Sequence, residues 1–399
     1  MTSQPRWRSA LGTALLALPD TILERLFSGV IGYGRSDVPP PVQAKLPAAD
    51  VRLLIAPANY AGQAHAWAHS VMRRSGVSAQ NLTVAPADAP RFRADDFVPT
   101  EIFQKSHRWG RRQASAVAER FTHVLVEAER PILGRHLAGD IRAEHAFLRA
   151  AGIGTAYVSH GSDVRRPSLH ADSDRWSPFR DADWDMLPVL ERVTRQNNAF
   201  LDEVGEPVFV VTPELLRDRP GATWLPNIVD ASSWAVDEPL FETGHVRLLH
   251  APTNARIKGT HLIEPVIESL DPRVFEYRRV TNTAPHAMRD VYANTDVVLE
   301  QFRLGIYSTT AIEAMAAGRV VVAHVADDIR ASVRRMTGLD LPIVQATPDT
   351  LADILHDISV RQEHYAELAS RGPGFVHAIH SGPSAVSALL RFLGGGRID

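Results

Sequence analysis

The chain has 399 residues and no cysteine. That absence excludes disulfides, thiolate metal sites and cysteine nucleophiles, and it leaves the redox compartment open, because a cysteine-free chain tolerates either. The chain also lacks an excess of charge. Its 43 Lys and Arg nearly balance 46 Asp and Glu, for a formal net charge of −3, so no basic face attracts nucleic acid and no such partner is expected. No run approaches the roughly 20 apolar residues that span a bilayer. The G-x-G-x-x-G fingerprint follows none of the strand-like segments, which argues against a nicotinamide enzyme, and the phosphate-loop pattern G-x-x-x-x-G-K-[ST] is missing too.

What is present is enough apolar material, 45% of residues, to bury two cores in a chain too long for one. Three parts are expected: an N-terminal amphipathic segment and linker over 1–50, a first domain over 51–228, and a second over 229–399 whose last helix can pack back on the first. In the opening segment Leu11, Leu15, Leu18, Ile22 and Leu26 fall at helical spacing. Arginines before a short apolar stretch mimic a signal peptide, but Pro19 and Asp20 end the stretch and no small-x-small cleavage site follows. A cytoplasmic protein is expected; a helix packed on the body is one reading of residues 1–35, and peripheral contact with the inner face of the membrane is the other. The Pro-rich run 37–50 reads as a linker.

From residue 51 strand-like and helix-like segments alternate, as parallel sheets covered by helices require. VRLLIA (51–56), THVLVEAE (122–129), TAYVSH (155–160) and PVFVVT (207–212) are strand-like, with helices expected over 62–74, 135–152 and 185–205. LPNIVDASSW (225–234) suits a domain crossing. The alternation then restarts with strands at 246–251, 274–280, 296–300 and 319–325 and helices at 262–270, 285–295 and 308–318. The fold class is therefore α/β, with two Rossmann-like doubly wound domains.

The chemistry concentrates at two strand ends of the second domain. In DVVLEQFRLGIYSTTAIEAMAAGRVVVAHV (296–325) a buried strand delivers the chain to a loop, and a helix opens at Ser308–Thr310. Free N–H groups and the positive end of a helix dipole favour a bound phosphate there, and the Ser308, Thr309 and Thr310 hydroxyls add donors. Glu313 has a bland alternative: Thr310-x-x-Glu313 is a capping-box pattern, in which the glutamate serves only its own helix. In VRLLHAPTNARIKGTHLIEPV (246–266) another strand ends in a loop with Asn254, Arg256 and Lys258. A cation here faces the same side of the sheet as the Ser308 helix start, and charge-assisted bonds to a diphosphate are each worth roughly 1.5–3 kcal/mol.

These segments carry a resemblance. KGT after a strand-loop, Tyr292-x-x-x-Asp296 and EAMAAGRVVV together resemble the donor-binding core of the family-4-like GT-B glycosyltransferases, and LPNIVD resembles their interdomain segment. More narrowly, VLEQFRLGIYSTTAIEAMAAGRVVV, TPELL, HAPTNARIKGT and HGSDVR are similar to a bacterial subgroup whose donor loop reads D-Q-x-x-x-G-x-Y-G before the glutamate. The resemblance covers residues 155–325 well, the first strand-loop weakly and 1–50 not at all.

It implies a GT-B enzyme, of hexosyltransferase type, that moves a sugar from a nucleotide diphosphate sugar to an unidentified acceptor. Retention of configuration, no metal and no cofactor beyond the donor are implied with it. Lys258 would contact the diphosphate and Glu313 the ribose, with Asn254, Arg256, Gly305, Tyr307, Ser308 and Thr309 lining the donor. His160 would face the reacting sugar, with Gly62, Gln63, Asp163 and Arg165 on the acceptor side. Read without the resemblance, His160 is a loop histidine bonded to backbone and Asp163 a turn residue. Two positions depart from the pattern. Gly305 replaces its first glutamate, and Thr253 replaces an arginine, so Arg256 or Arg303 would supply the second positive charge. Two other readings share the fold: a non-catalytic sugar-nucleotide-binding subunit, and a sugar-nucleotide epimerase or phosphorylase.

Two patterns point elsewhere. His65 and His69 lie at i and i+4, but HAWAH is not H-E-x-x-H and no third ligand is evident, so packing or solvent is expected and no metal site. Asp172-Ser-Asp174 and Asp183-Trp-Asp185 imitate an acidic metal motif in a polar stretch and are expected to be solvated loop or helix start.

Overall fold

The computed structural model describes residues 18, 20–43, 49–74, 76–89, 92–281, 283–284 and 287–394. Leu11 and Leu15 of the expected N-terminal helix, and the middle of the expected linker, lie outside these residues. Twelve strands appear among those described: β1 (Arg52–Ala56), β2 (Ser78–Ala85), β3 (Asp96–Pro99), β4 (His123–Glu127), β5 (Gly154–Ser159), β6 (Val208–Val210), β7 (Thr223–Trp224), β8 (Val246–His250), β9 (Phe275–Arg279), β10 (Val297–Leu299), β11 (Val320–Ala323) and β12 (Val344–Gln345). They form two sheets, in the orders β3-β2-β1-β4-β5-β6-β7 and β12-β11-β10-β8-β9. β1 pairs in parallel with β2 and β4, and β8 in parallel with β9 and β10. The central strands RLLIA, HVLVE, VVL and VVVA are almost wholly buried. Near-continuous apolar runs are what a sheet covered on both faces demands.

By contacts the chain divides into two units. Unit 1 comprises the described residues up to Ser159, with Phe200–Val208 and those from Leu389 onward. Unit 2 comprises His160–Ala199 and Phe209–Ala388. The expected boundary at 228/229 placed 160–199 with the first domain; their contacts group them with the second sheet. The physical reason lies in side chains such as His170, whose Nε2 meets the Leu304 carbonyl at 3.2 Å. The last turn of the final helix, Pro383–Leu393, groups with unit 1, where Phe392 meets His123 edge-on at 5.2 Å.

Local readings fail where polar side chains decide. The helix expected from 135 begins at Ile141, because Asp140 caps it by accepting from the Arg142 N–H at 2.8 Å. β2 and β3 were not expected at all. SAQNLTVA carries Gln80 and Asn81 in the core, where Gln80 Nε2 donates to Asp96 at 2.7 Å and Asn81 Oδ1 accepts from the Asp95 N–H at 3.0 Å. In the helix Asp20–Leu26 the face turned inward is Asp20, Leu23 and Glu24, not the expected one. Ile22 and Leu26 are 39% and 69% exposed. The Asp20 carboxylate accepts from the backbone of Arg108 and, at 3.2 Å, from that of His107, while Glu24 pairs with the Arg108 guanidinium at 2.9 Å. The packed-helix reading therefore holds for 20–26, by charge rather than by the apolar stripe. Among the described residues no helix is long and apolar enough to cross a membrane.

Candidate functional site

Parallel pairing of β8 with β10, Leu248 against Val297 and Leu249 against Val298, sends the loops after both strands out at one sheet edge. The first carries Lys258 and the second Glu300 and Ser308. Their side chains meet: Lys258 Nζ is ion-paired with the Glu300 carboxylate and donates to Ser308 Oγ at 2.9 Å, and Ser308 donates in turn to Glu300 at 2.6 Å. Lys258 and Glu300 are buried, at 6% and 2% exposure. An ammonium has three donors; two are used here, and the third has no partner among the described residues. The Ser308 side chain makes no bond to the first-turn N–H groups of the helix Thr309–Ala316, which leaves that dipole end uncapped.

The residues of KGT each have a mechanical reason. Gly259 has φ +82°, and a Cβ there would sit 2.9 Å from Arg303 Cγ, so only glycine lets the two loops touch. Thr260 accepts or donates at 2.8 Å to His250 Nε2, while His250 Nδ1 meets the Leu299 carbonyl at 2.7 Å. Burial pushes His250 down to about 4, so it stays neutral and acts as a strut between the two strand ends.

Glu313 does not close the capping box. The helix starts at Thr309 with Ser308 as its cap residue, and Glu313 instead accepts from Tyr292 OH at 3.3 Å. Burial pushes its carboxyl up to about 7, against the opposing pull of the Tyr292 bond and of Lys258. Asn227, in the LPNIVD segment, reaches the same helix start by donating to Thr309 Oγ1 at 3.1 Å. Asp296, the end of the Tyr-x-x-x-Asp element, is structural: it accepts from Arg247 at 2.8 and 3.0 Å and from the Phe241 N–H at 2.8 Å.

Several expected donor contacts are otherwise engaged. Arg303 is buried and forks onto Asp181 at 2.6 and 2.7 Å, with further bonds to the Trp176 and Ser177 carbonyls. Arg256 pairs with Asp181 at 3.0 Å and Asp183 at 2.9 Å, above the Trp184 ring. Both guanidinia are met by carboxylates of the 174–184 segment, Arg303 in a buried fork and Arg256 in pairs that leave its side chain 34% exposed. Asp183 is a counterion while 76% exposed, and Asp172 and Asp185 are exposed, as a solvated loop requires; Asp174 departs from that expectation, being buried and bonded to His324 at 3.0 Å. Asn254 caps its own turn, accepting from the Ile257 N–H at 3.2 Å. Tyr307 is a core residue, 2% exposed, whose OH lies 3.4 Å from His380 Nε2.

Gly305 has φ +65°, and a Cβ would meet Asp174 Oδ2 at 3.0 Å and Ala326 Cβ at 3.2 Å. A glutamate here would take up a left-handed backbone conformation and press its Cβ against Asp174 and Ala326. Gly305→Glu is expected to destabilise the protein by about 1–3 kcal/mol, the usual cost of a strained left-handed residue, and to leave donor KM no better; thermal unfolding and donor titration of the variant check both.

In unit 2, His160 and Gly161 offer their N–H groups to Asp163, each at 2.6 Å, and Val164 does so at 3.0 Å. Asp163 is thus the clamp that shapes the loop carrying His160. Arg165 is buried and paired with Glu214, which Thr212 also contacts at 2.9 Å. A Cβ on Gly161 would lie 3.3 Å from that guanidinium, which explains HGSDVR in packing terms. In unit 1, Gly62 has φ +74° ahead of the buried Gln63, and the preceding turn is held by Glu127, which accepts from the Ala58 and Asn59 N–H groups at 2.8 and 2.9 Å. The structure also brings Asp95 to His65 and His69, supplying the third ligand type the sequence did not reveal.

Sequence reading missed Glu300, Tyr292 OH, Asn227 and Asp181. Glu300 stands at the aspartate position of D-Q-x-x-x-G-x-Y-G, and Tyr292 and Asn227 lie in motifs that carry the resemblance, whereas Asp181 had no local signal.

Solved structures were compared with this arrangement. Sucrose-phosphate synthase from Thermosynechococcus elongatus matches over 86% of this chain and 98% of its own at 13% identity, with a TM-score of 0.58. HepE from Anabaena, in complex with UDP and glucose, matches over 86% and 99% at 12% identity and 0.55. The fold is GT-B. The catalytic domain of starch synthase IV from Arabidopsis thaliana, bound to ADP and acarbose, matches the GT-B chain over 87% and 99% at 10% identity and 0.53. No protein-family model and no curated protein sequence matches the chain.

Proposed function

We propose that this GT-B protein is a glycosyltransferase that draws its sugar from a nucleoside diphosphate sugar. The observation that carries the reading is Lys258 Nζ beside Ser308, at an uncapped helix start on the edge where β8 and β10 end. As the bond from the anomeric carbon to the diphosphate oxygen breaks, negative charge builds on the leaving group. The remaining Lys258 donor and the first-turn N–H groups are fixed in advance around that charge, and no metal is needed for the purpose. The acceptor hydroxyl oxygen bonds to the anomeric carbon, and its proton passes to the departing diphosphate oxygen. His160 is the residue we place at the reacting sugar, its backbone pinned by Asp163. Retention of configuration follows from the family resemblance. The exposed Ile22, Leu26 and Val30 support peripheral contact of residues 1–35 with the cytoplasmic membrane face.

Glu313 gives the reading a pH signature. Its carboxyl stands near 7 instead of the ordinary 4.5, so it is neutral at pH 6 and ionised at pH 8. An ionised carboxylate accepts bonds from both ribose hydroxyls, so donor binding releases a proton in this window. Donor KM should fall about tenfold from pH 6 to pH 8, one proton's slope near 1.4 kcal/mol per unit damped by the midpoint, and Glu313→Gln should flatten the profile.

The engagement of both arginines, with Gly305 in place of the glutamate, favours a second reading: a donor-binding subunit without turnover. Incubation with labelled UDP-, GDP- and ADP-sugars and a panel of acceptor glycans separates the two. Label transferred to an acceptor supports the transferase. Epimerised donor without acceptor, or binding with neither product, overturns it.

A further inference from the structure

His65 and His69 project from one face of the helix Gln63–Arg74, as side chains four residues apart do. Their rings stack with centroids 4.0 Å apart, and the Asp95 carboxylate lies against both: Oδ1 is 2.9 Å from His69 Nε2 and 3.9 Å from His65 Nε2. One ligand atom from each of the three falls within 4.8 Å of the others. We propose that His65, His69 and Asp95 bind a divalent transition metal, zinc by the nature of the ligands, at a site remote in sequence from the donor lysine.

Two imidazoles and one carboxylate make a donor set that suits zinc and the neighbouring late transition ions, while the all-oxygen sites of magnesium and calcium look different. Metal bonds of about 2.0–2.2 Å require the three donors to close in slightly, which rotation of the partly exposed histidine rings allows. Side-chain exposures of 22%, 32% and 20% leave the site open to an incoming ion. The carboxylate is already oriented: Asp95 Oδ2 accepts from the Asn81 N–H at 2.9 Å, and the Asp95 N–H donates to Asn81 Oδ1 at 3.0 Å. Outer-shell bonds of this kind hold a ligand in place for its metal. Arg73 and Arg93 act on His65 from nearby and oppose a cation, so the affinity rests on the three ligands.

The site would fasten two segments, the helix Gln63–Arg74 and the stretch leading into β3, that Asn59 already links. Asn59 Oδ1 accepts from the His65 N–H at 3.2 Å, and its Nδ2 donates to the Arg93 carbonyl at 2.9 Å. Gly62 and Gln63 stand between Asn59 and this helix, so a bound ion would stiffen the loop after β1. Ligands contributed by three protein groups leave a coordination position for water.

The test uses the full chain stripped of metal and titrated with Zn²⁺ and with Co²⁺. The parent is expected to bind one equivalent more of each than His65→Gln/His69→Gln, to gain Tm with Zn²⁺, and to show visible Co²⁺ absorption that the variant lacks. The site's zinc affinity should drop at least about 100-fold in Asp95→Asn, since loss of a mere outer-shell partner already costs 10–100-fold. Far-UV circular dichroism establishes that each variant is folded, and if the double variant is not, His69→Gln alone replaces it. Equal stoichiometry, equal Tm gain and equal Co²⁺ spectra in parent and folded variant would overturn the proposal.

Discussion

Lys258→Ala is expected to lower stability and donor affinity together, and a second substitution to separate the two. Lys258 and Glu300 form a buried pair. Removing one partner leaves a stranded charge, which costs about 3–5 kcal/mol. In a unit of the size of unit 2 that lowers Tm by roughly 2–4 °C per kcal/mol. Donor affinity should drop about 10- to 150-fold, the worth of a charged hydrogen bond of roughly 1.5–3 kcal/mol. In Lys258→Ala/Glu300→Gln no buried charge remains unpaired, so most of the stability returns while the donor stays weakly bound. Thermal unfolding and calorimetric titration with UDP, GDP and ADP read the two effects separately.

Arg303→Ala should behave in the opposite way. Its guanidinium is 4% exposed and bonds Asp181 twice as well as two backbone carbonyls. The loss of this fork is expected to cost about 3–5 kcal/mol, because the Trp176 and Ser177 carbonyls lose their donor and Asp181 keeps only Arg256. At a temperature where the variant remains folded, its affinity for UDP, GDP or ADP should lie within about threefold of the parent's, well under one tenfold step of 1.4 kcal/mol. A stable Arg303→Ala with donor affinity reduced tenfold or more would return Arg303 to the diphosphate.

The sequence made the frame and one half of this site readable, for a local reason. Lys258 and Ser308 each follow a short apolar run and precede a helical stretch, and pattern alone puts such residues at strand ends. What it could not reveal were partners set by long loops. Glu300 is 42 residues from Lys258 and Asp181 122 residues from Arg303, so whether an arginine is available to a ligand depends on how the 174–184 segment folds back. The same limit explains Glu313. Its capping-box spacing is a valid local rule, yet Tyr292, 21 residues upstream, takes the carboxylate. β2 escaped because Gln80 and Asn81 break the apolar pattern while finding partners in Asp96 and Asp95, and that Asp95 contact is also what turns two helical histidines into a ligand set.

Glu300→Gln and Lys258→Ala/Glu300→Gln share one neutral background and differ only in the ammonium. Calorimetric titration of both with UDP, GDP and ADP is therefore the sharpest comparison. For whichever nucleotide the parent binds, Glu300→Gln should bind at least as tightly as the parent, its lysine freed from the carboxylate, and the double variant at least tenfold more weakly. Equal affinity in the two variants would mean that Lys258 serves the fold alone and that the diphosphate is held elsewhere.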